Sequence, residues 1–141
     1  MKYRQINWKY QLAETVTFQT RIYPERTLRT DWITLHPNGS LILEADYCWD
    51  GPSGPAFDTQ NFMRGSAVHD ALFQLMKLGL LSTEWFKESN RELIRWCKRD
   101  GMWAIRRRWV YWAVQRYGRD YLTYDADDHK VYIVPRGSAD A

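Results

Sequence analysis

Cysteine is scarce in this chain, and long apolar runs are missing from it. The 141 residues include two cysteines, Cys48 and Cys97, whereas a small secreted domain held by disulfides needs more of them. No stretch approaches the roughly 20 apolar residues of a membrane-spanning helix. The segment that follows Met1 carries no apolar run either, so we expect no signal peptide. These absences predict a soluble protein made in a reducing cytoplasm and argue against a disulfide scaffold.

Aromatic residues, in contrast, are abundant. They make up 16% of the chain, with 8 Trp and 9 Tyr. A chain of this length buries roughly two thirds of its unfolded surface in one domain, so most aromatic residues are expected to fill a core. Because Trp and Tyr are amphipathic, some of them are also able to form an exposed binding face.

Charge is distributed unevenly along the sequence. Residues 87–119 carry ten Lys or Arg and three Asp or Glu, whereas the remainder carries ten basic and fourteen acidic residues. This pattern indicates either contact with an anionic partner or a solvated face of long side chains beside aromatic residues. The residues available to contact nucleic acid are Lys98, Arg99, Arg106, Arg107 and Arg108. Consecutive helical residues point about 100° apart, so the three adjacent arginines form no single basic stripe.

The order of patterns along the chain predicts one domain, residues 1–141, of the α+β class. We expect an N-terminal antiparallel sheet or hairpin, about three helices, and a C-terminal strand that returns to the sheet. The corresponding ranges are a β-rich region over 1–48, a loop over 49–66, helices over 67–118 and a strand over 129–135.

Turn and capping residues predict where several elements begin and end. Asn38-Gly39 separates two alternating segments, Trp32–His36 and Leu41–Glu44, and accepts the positive φ angles of a tight hairpin turn. Three glycines fall where helical patterns stop, and they are Gly79, Gly101 and Gly118. The second helix has two candidate caps: Ser89 has capping-box spacing, while Ser82 or Thr83 would begin a longer helix that contains Ser89.

The candidate site combines a Gly/Pro-rich loop with a His-Asp pair. Asp50 lies in the loop, and His69-Asp70 opens the predicted first helix. A histidine beside a carboxylate acts as a general base. Because adjacent helical residues diverge, Asp50 is the better partner for the His69 ring, and Asp70 would bind a metal or cap backbone N–H groups. The alternative is that His69 is a hydrogen-bonded core histidine and Asp70 a cap.

The loop itself is expected to fix a backbone path rather than to supply a nucleophile. Gly51 and Gly54 permit tight turns, and prolines lie between and after them. Ser53 is able to pair with His69, but it lacks the Gly-x-Ser-x-Gly pattern of a nucleophile elbow. A turn serine is the favoured interpretation.

Five segments carry a resemblance to a known family. They are residues 47–55, residues 67–73, Asn90-Arg91 with Gly101-Met102, and residues 111–118. Together they resemble a phage and prophage family called domain of unknown function 1353, whose motifs read Trp-Asp-Gly-Ala/Ser-x-Pro, His-Asp-x-Leu-Tyr and Ala-Asp-Arg. This chain has Phe73 where the family has Tyr, and Asn90 where it has Asp. The resemblance implies a phage origin, a place in the host cytoplasm or the virion, and a role for Asn90 and Arg91 beside the His-Asp pair.

The His-Asp motif is also similar, more loosely, to that of phospholipase A2, in which a Gly-rich calcium loop precedes a helical His-Asp pair. Two hypotheses follow. In the first, the chain is a small hydrolase of lipid or cell-envelope material, with His69 and Asp50 as catalytic residues and Asp50 and Asp70 as ligands, Ca²⁺ being the expected ion. In the second, it is a non-catalytic phage protein that binds a virion component or a host protein.

Overall fold

The computed structural model describes residues 1–6, 9–49 and 60–123. Within these ranges the chain forms seven β-strands followed by three α-helices. The strands are β1 (Tyr3–Ile6), β2 (Lys9–Leu12), β3 (Val16–Gln19), β4 (Leu28–Arg29), β5 (Ile33–Leu35), β6 (Ser40–Leu43) and β7 (Cys48–Trp49). The helices are α1 (Gln60–Lys77), α2 (Phe86–Arg99) and α3 (Ala104–Thr123), and a short 3₁₀ helix, Thr83–Trp85, leads into α2. The α+β class is confirmed, while the predicted strand over 129–135 lies outside the described residues.

The N-terminal strands divide between two antiparallel sheets. One has the order β1-β2-β7, and the other has the order β3-β6-β5-β4. The division follows from Asp46, whose positive φ of 73° breaks the extended path after β6. The backbone N–H of Asp46 then donates to the carbonyl of Leu12 at 2.9 Å, and β7 pairs with β2 rather than with β6.

The predicted hairpin is confirmed as β5 and β6. Ile33 pairs with Leu43 and Leu35 with Leu41 across the two strands, and all four side chains are buried. Gly39 has a φ of +88°, and a Cβ placed on it would lie 2.3 Å from the carbonyl oxygen of Thr20. Glycine is therefore required here both by the turn and by the close approach of the chain.

Helix α1 begins earlier than the sequence predicts. It starts at Gln60, so residues 60–66, which were predicted to be loop, are helical. Gly65, a residue type that usually disfavours a helix interior, lies inside α1. Here a Cβ would lie 2.9 Å from the side chain of Leu93 and 3.0 Å from Sγ of Cys97, so the glycine allows α1 and α2 to pack closely.

The other helix ends follow the predictions in part. Gly79 and Gly101 both have positive φ and lie just beyond α1 and α2, as expected. Ser82 caps the 3₁₀ helix by accepting from the N–H of Glu84, so the longer-helix alternative is correct. The prediction that α3 stops at Gly118 is wrong, because the helix continues to Thr123. A Cβ on Gly118 would meet the rings of Phe73 and Phe86 at 3.0–3.2 Å, so this glycine also serves packing.

The core lies between the strands and the inner faces of α1 and α2. Phe18 of β3 meets the Trp96 ring of α2 edge to face at a centroid distance of 5.1 Å. On the other sheet, the indole N–H of Trp49 donates to Oγ of Ser66 at 3.0 Å, and both residues are buried. The last residue of β7 is thus fixed against α1, one helical turn before His69.

Candidate functional site

His69 lies in the second half of α1 with its ring turned toward α2. Its Nε2 is 2.8 Å from Oδ1 of Asn90, which is fully buried. The ring also packs against Phe73 at a centroid distance of 4.1 Å, and 11% of the side chain remains exposed. Asn90, which stands where the resembling family has Asp, is therefore the direct partner of His69.

The hydrogen bonds continue from Asn90 across α3. Nδ2 of Asn90 donates to Oε1 of Gln115 at 2.9 Å, and Nε2 of Gln115 donates to the hydroxyl of Tyr111 at 2.6 Å. We call this chain of four side chains, His69, Asn90, Gln115 and Tyr111, the polar relay. It contains one residue of α1, one of α2 and two of α3, so it joins all three described helices.

The relay determines which nitrogen of His69 carries the proton. Asn90 presents its oxygen to the ring because its amide nitrogen donates to Gln115. In the neutral imidazole Nε2 is therefore the donor, and Nδ1 has the lone pair. A nitrogen with a lone pair is able to accept a proton, so Nδ1 is the basic atom of this site.

Asp70 is not hydrogen-bonded to the ring. Its Oδ1 is 3.9 Å from Nδ1 of His69, beyond the range of a hydrogen bond, and its side chain is 29% exposed. At this distance the carboxylate would interact with a protonated ring by charge alone. The expectation that Asp70 is a poor direct partner for His69 agrees with this geometry.

The loop residues of the predicted site, Asp50, Gly51, Ser53 and Gly54, lie outside the described residues. Within the part of the chain that the structure describes, there is no group of three or more His, Cys, Asp or Glu side chains able to hold a metal ion. The Ca²⁺ site that combines Asp50 with Asp70 stays a prediction.

Arg91 points about 100° away from Asn90 around α2 and is exposed. It pairs with Glu88, and the Glu88 carboxylate, followed by the Tyr111 hydroxyl, raises the pKa of Arg91. A shallow cleft of about 280 Å³ lies here, lined by Arg21, Glu88, Arg91, Glu92, Ile94, Arg95, Lys98 and Tyr111. Tyr111 belongs to both the cleft and the polar relay, so the relay runs from His69 to the cleft.

Sequence reasoning missed Gln115 and Tyr111 as members of the site. Both lie in the segment that carries the family resemblance, but neither was assigned a role. Their spacing of four residues places them on one side of a helix, where a Tyr hydroxyl and a Gln amide are able to meet. That spacing was the available signal.

A second feature of α3 is its exposed apolar side. Trp103 and Ile105 are each 83% exposed, Trp109 is 50% exposed and Trp112 is 55% exposed. The guanidinium of Arg116 lies 5.9 Å from the Trp112 ring centroid. We call these five residues together with the exposed Arg108 the α3 face.

The three consecutive arginines of α3 do not act as one patch, in agreement with the prediction. Arg107 donates to the backbone carbonyl of Met102 at 2.6 Å and is half-buried, whereas Arg108 is exposed. Nearby, the guanidinium of Arg99 lies 5.0 Å from the ring centroid of Trp96. Basic charge is thus spread over several sides of α2 and α3.

The fold and the site define a small α+β protein in which a polar relay joins three helices and one of those helices has an exposed aromatic face. No family model, curated protein or solved structure matches the chain. No helix of the described residues is long and apolar enough to cross a membrane. The likeness to the phage family therefore stays a prediction based on the quoted motifs.

Proposed function

We propose that this chain is a phage-type binding protein that attaches to a virion or host component through the α3 face. The observation that carries the proposal is the exposure of Ile105, Trp109 and Trp112 on α3 and of Trp103 just before it. The phage origin rests on the resemblance of the loop and His-Asp motifs alone.

The α3 face exposes apolar side chains that lie outside the core of this fold. Fully burying one large apolar side chain contributes roughly 1.5–3 kcal/mol; Trp103 and Ile105 forgo most of that gain, and the two half-exposed tryptophans forgo about half of it. The opposite side of α3 supplies the core contact, with Val110 buried in a cluster that includes Phe62 and Leu93. Contiguous exposed apolar residues of this kind mark an interaction surface.

The polar relay supports the same function by holding α3 in place. Gln115 and Tyr111 are the α3 members of the relay, and Asn90, on α2, is fully buried. A buried polar group without a partner costs about 1–3 kcal/mol, so the hydrogen bonds favour one position of α3 over others. Under this proposal His69 is a structural histidine whose hydrogen bond to Asn90 connects α1 to α2 and α3.

The test is whether attachment in cells depends on the α3 face. A tagged chain would be produced in bacteria that carry the phage, and gently lysed cells would be separated by sedimentation. We expect the wild type to sediment with large particles or membranes. The double variant Trp103→Ser/Ile105→Ser should remain with monomer-sized material. Tyr23→Ser is the control, because Tyr23 is a 52% exposed aromatic residue outside α3. Identical sedimentation of all three proteins would overturn the proposal.

A small hydrolase is the second candidate, and the tautomer of His69 is the observation that favours it. The hydrogen bond to Asn90 leaves Nδ1 as the basic atom, 3.9 Å from a carboxylate of Asp70. A base so oriented could activate water, with Asp50 and Asp70 as the proposed Ca²⁺ ligands.

The hydrolase candidate is tested with purified protein on phospholipid vesicles and on cell-envelope fragments, with Ca²⁺ or a chelator. We expect product from the wild type and none from His69→Gln, and Asp70→Asn should lose the response to Ca²⁺. Thermal unfolding of each variant shows whether a protein that releases no product is still folded. Wild-type protein that releases no product under either condition eliminates this candidate.

A further inference from the structure

We propose that the α3 face binds the surface of an anionic lipid bilayer, with the helix lying in the plane of the headgroups. This inference rests on the proposed function and names the chemistry of the partner. It is carried by the combination of exposed apolar side chains and unbalanced positive charge on one helix.

The charge of the segment has one sign. Residues 101–116 contain four arginines and no Asp or Glu. Two of these arginines, Arg108 and Arg116, are exposed members of the α3 face. Their partner is therefore expected to be anionic, because juxtaposed opposite charges are favoured and each basic group near an anionic membrane adds to binding.

The apolar residues lie along one side of the helix. Ile105, Trp109 and Trp112 are spaced by four and three residues, which places them on one stripe at about 100° per residue. Trp103 precedes the first turn and extends the apolar surface, since 83% of its side chain is exposed. Arg116 falls inside this angular range and Arg108 lies about 40° beyond its edge, so the cations lie within or beside the apolar stripe rather than face away from it.

This arrangement has the chemistry of an interfacial helix. Indole rings favour the region between lipid headgroups and acyl chains, and an aliphatic side chain favours the acyl side of that boundary. Arginine is able to place its aliphatic stem along the apolar layer while its guanidinium reaches a lipid phosphate. Trp109 would occupy the boundary between headgroups and acyl chains, Ile105 its acyl side, and the Arg116 guanidinium the phosphate layer.

Nucleic acid is a weaker fit to the same surface. Single strands are held in basic grooves where bases stack on aromatic rings, whereas the α3 face projects from a helix. Ile105 is as exposed as Trp103, and an aliphatic side chain offers no ring on which a base could stack. Arg107, one of the arginines predicted to contact nucleic acid, is engaged with the Met102 carbonyl.

A second copy of the chain is also a weaker fit. In a two-fold pair the same patch meets itself, so Arg108 and Arg116 would meet arginines with no acidic residue in the segment to balance them. Like charges brought together across an interface oppose association.

The experiment is co-sedimentation of the full chain with vesicles. Vesicles of phosphatidylglycerol and phosphatidylcholine would be compared with vesicles of phosphatidylcholine alone, at low and high salt. We expect binding to the anionic vesicles, weakened by salt, together with a blue shift of Trp fluorescence. Absent binding to anionic vesicles, or equal binding to both kinds, would overturn the inference.

Variants test whether the α3 face is responsible. Trp103→Ser/Ile105→Ser should lower the partition coefficient more than tenfold, and Arg108→Gln/Arg116→Gln should lower it about fivefold for each charge removed. Tyr23→Ser should bind like the wild type, and circular dichroism should be unchanged in every variant. Wild-type affinity in the two α3 variants would overturn the inference.

The vesicle experiment and the cell experiment distinguish a wrong lipid partner from a wrong binding function. Loss of cellular attachment in Trp103→Ser/Ile105→Ser without any vesicle binding would refute the lipid partner and leave the binding function intact. Binding of single-stranded DNA that the α3 variants abolish, without vesicle binding, would replace lipid by nucleic acid. Failure of both the cell and the vesicle experiments would remove both proposals.

Discussion

At the scale of single residues, Asn90 shows how a neutral side chain orients a histidine. Its amide is fully buried and bonds to His69 on one side and to Gln115 on the other. An aspartate at this position would accept from the ring but could not donate to Gln115. The Asn90 amide therefore both accepts from the ring and donates to α3, which a carboxylate cannot do.

Replacing Asn90 by Ala should lower the free energy of unfolding by about 2–4 kcal/mol. The substitution leaves Nε2 of His69 and Oε1 of Gln115 without the partners seen in the structure, and each buried unpaired group costs about 1–3 kcal/mol. Urea unfolding followed by circular dichroism measures the change. Lys87→Ala, on an exposed position of the same helix, should change stability by less than about 0.5 kcal/mol. Equal effects of the two substitutions would contradict the relay.

The thiol of Cys97 should make stability depend on pH above 9. Burial, followed by the charge of Asp100, raises the pKa of Cys97 to about 12. The unfolded thiol loses its proton first, so stability is full below about pH 9 and falls as the pH rises toward 12, by about 2 kcal/mol at pH 10.5. Other groups also titrate in this range, so the measurement is the difference between wild type and Cys97→Ala. A constant difference from pH 8 to 10.5 would contradict the shift.

At the scale of elements, glycine has two opposite roles in this chain. Gly39, Gly79 and Gly101 occupy positive φ and lie in turns or beyond helices, where local sequence rules predict them. Gly65 and Gly118 lie inside helices, where those rules predict an interruption. The hairpin and two helix ends were predictable because they depend on neighbouring residues. The start of α1 and the end of α3 were not, because both depend on contacts with distant residues.

Gly65→Ala should destabilise the protein more than Gly118→Ala. A Cβ at position 65 would lie 2.9 Å from the backbone carbonyl of Leu93, whereas at position 118 it would meet phenyl ring atoms at 3.0–3.2 Å. A ring can shift more readily than a helix backbone, so we expect a loss of about 1–3 kcal/mol at 65 and less at 118. Thermal unfolding of both variants gives the ranking. A stabilised Gly65→Ala protein, as helix propensity alone would produce, would show that α1 and α2 pack less closely.

At the scale of the whole molecule, Glu92 connects the helices to the sheets. Its Oε1 accepts from the backbone N–H of Arg21 at 2.7 Å, and its Oε2 lies 2.5 Å from a guanidinium nitrogen of Arg95. The same Arg95 nitrogen donates to the carbonyl of Gln19 at the end of β3. Two side chains of α2 therefore hold the chain that leaves the larger sheet.

Glu92→Ala should cost about 2–4 kcal/mol of unfolding free energy, because the N–H of Arg21 loses its acceptor and Arg95 loses a carboxylate while it keeps the Gln19 carbonyl. Glu88→Ala is a matched control, since Glu88 pairs with Arg91 at the same spacing on the same helix but at the surface. Exposed pairs contribute about 0–1 kcal/mol. Chemical denaturation of both variants checks the contrast, and similar losses would show that Glu92 is not a connection between layers.

The candidate site could be predicted only in outline. His69, Asp70, Asn90 and Arg91 were all identified from motifs, but the motifs do not state which side chains meet. Asn90 bonds to His69 because α1 and α2 pack face to face, whereas Arg91, about 100° further around α2, lines the cleft. Gln115 enters the site because α3 crosses both helices. Contacts between side chains of different helices depend on how the helices pack, and a motif in the sequence does not specify this packing.

The polar relay has a direction. Each amide has one end that gives a hydrogen and one end that takes it, so the orientation of one group dictates that of the next, from Tyr111 through Gln115 to Asn90 and the imidazole. No single member can be reversed without reversing or breaking the others. Since the relay connects the ring to the cleft, we expect a change in the hydrogen bond between Gln115 and Tyr111 to alter the nitrogen resonances of the His69 ring.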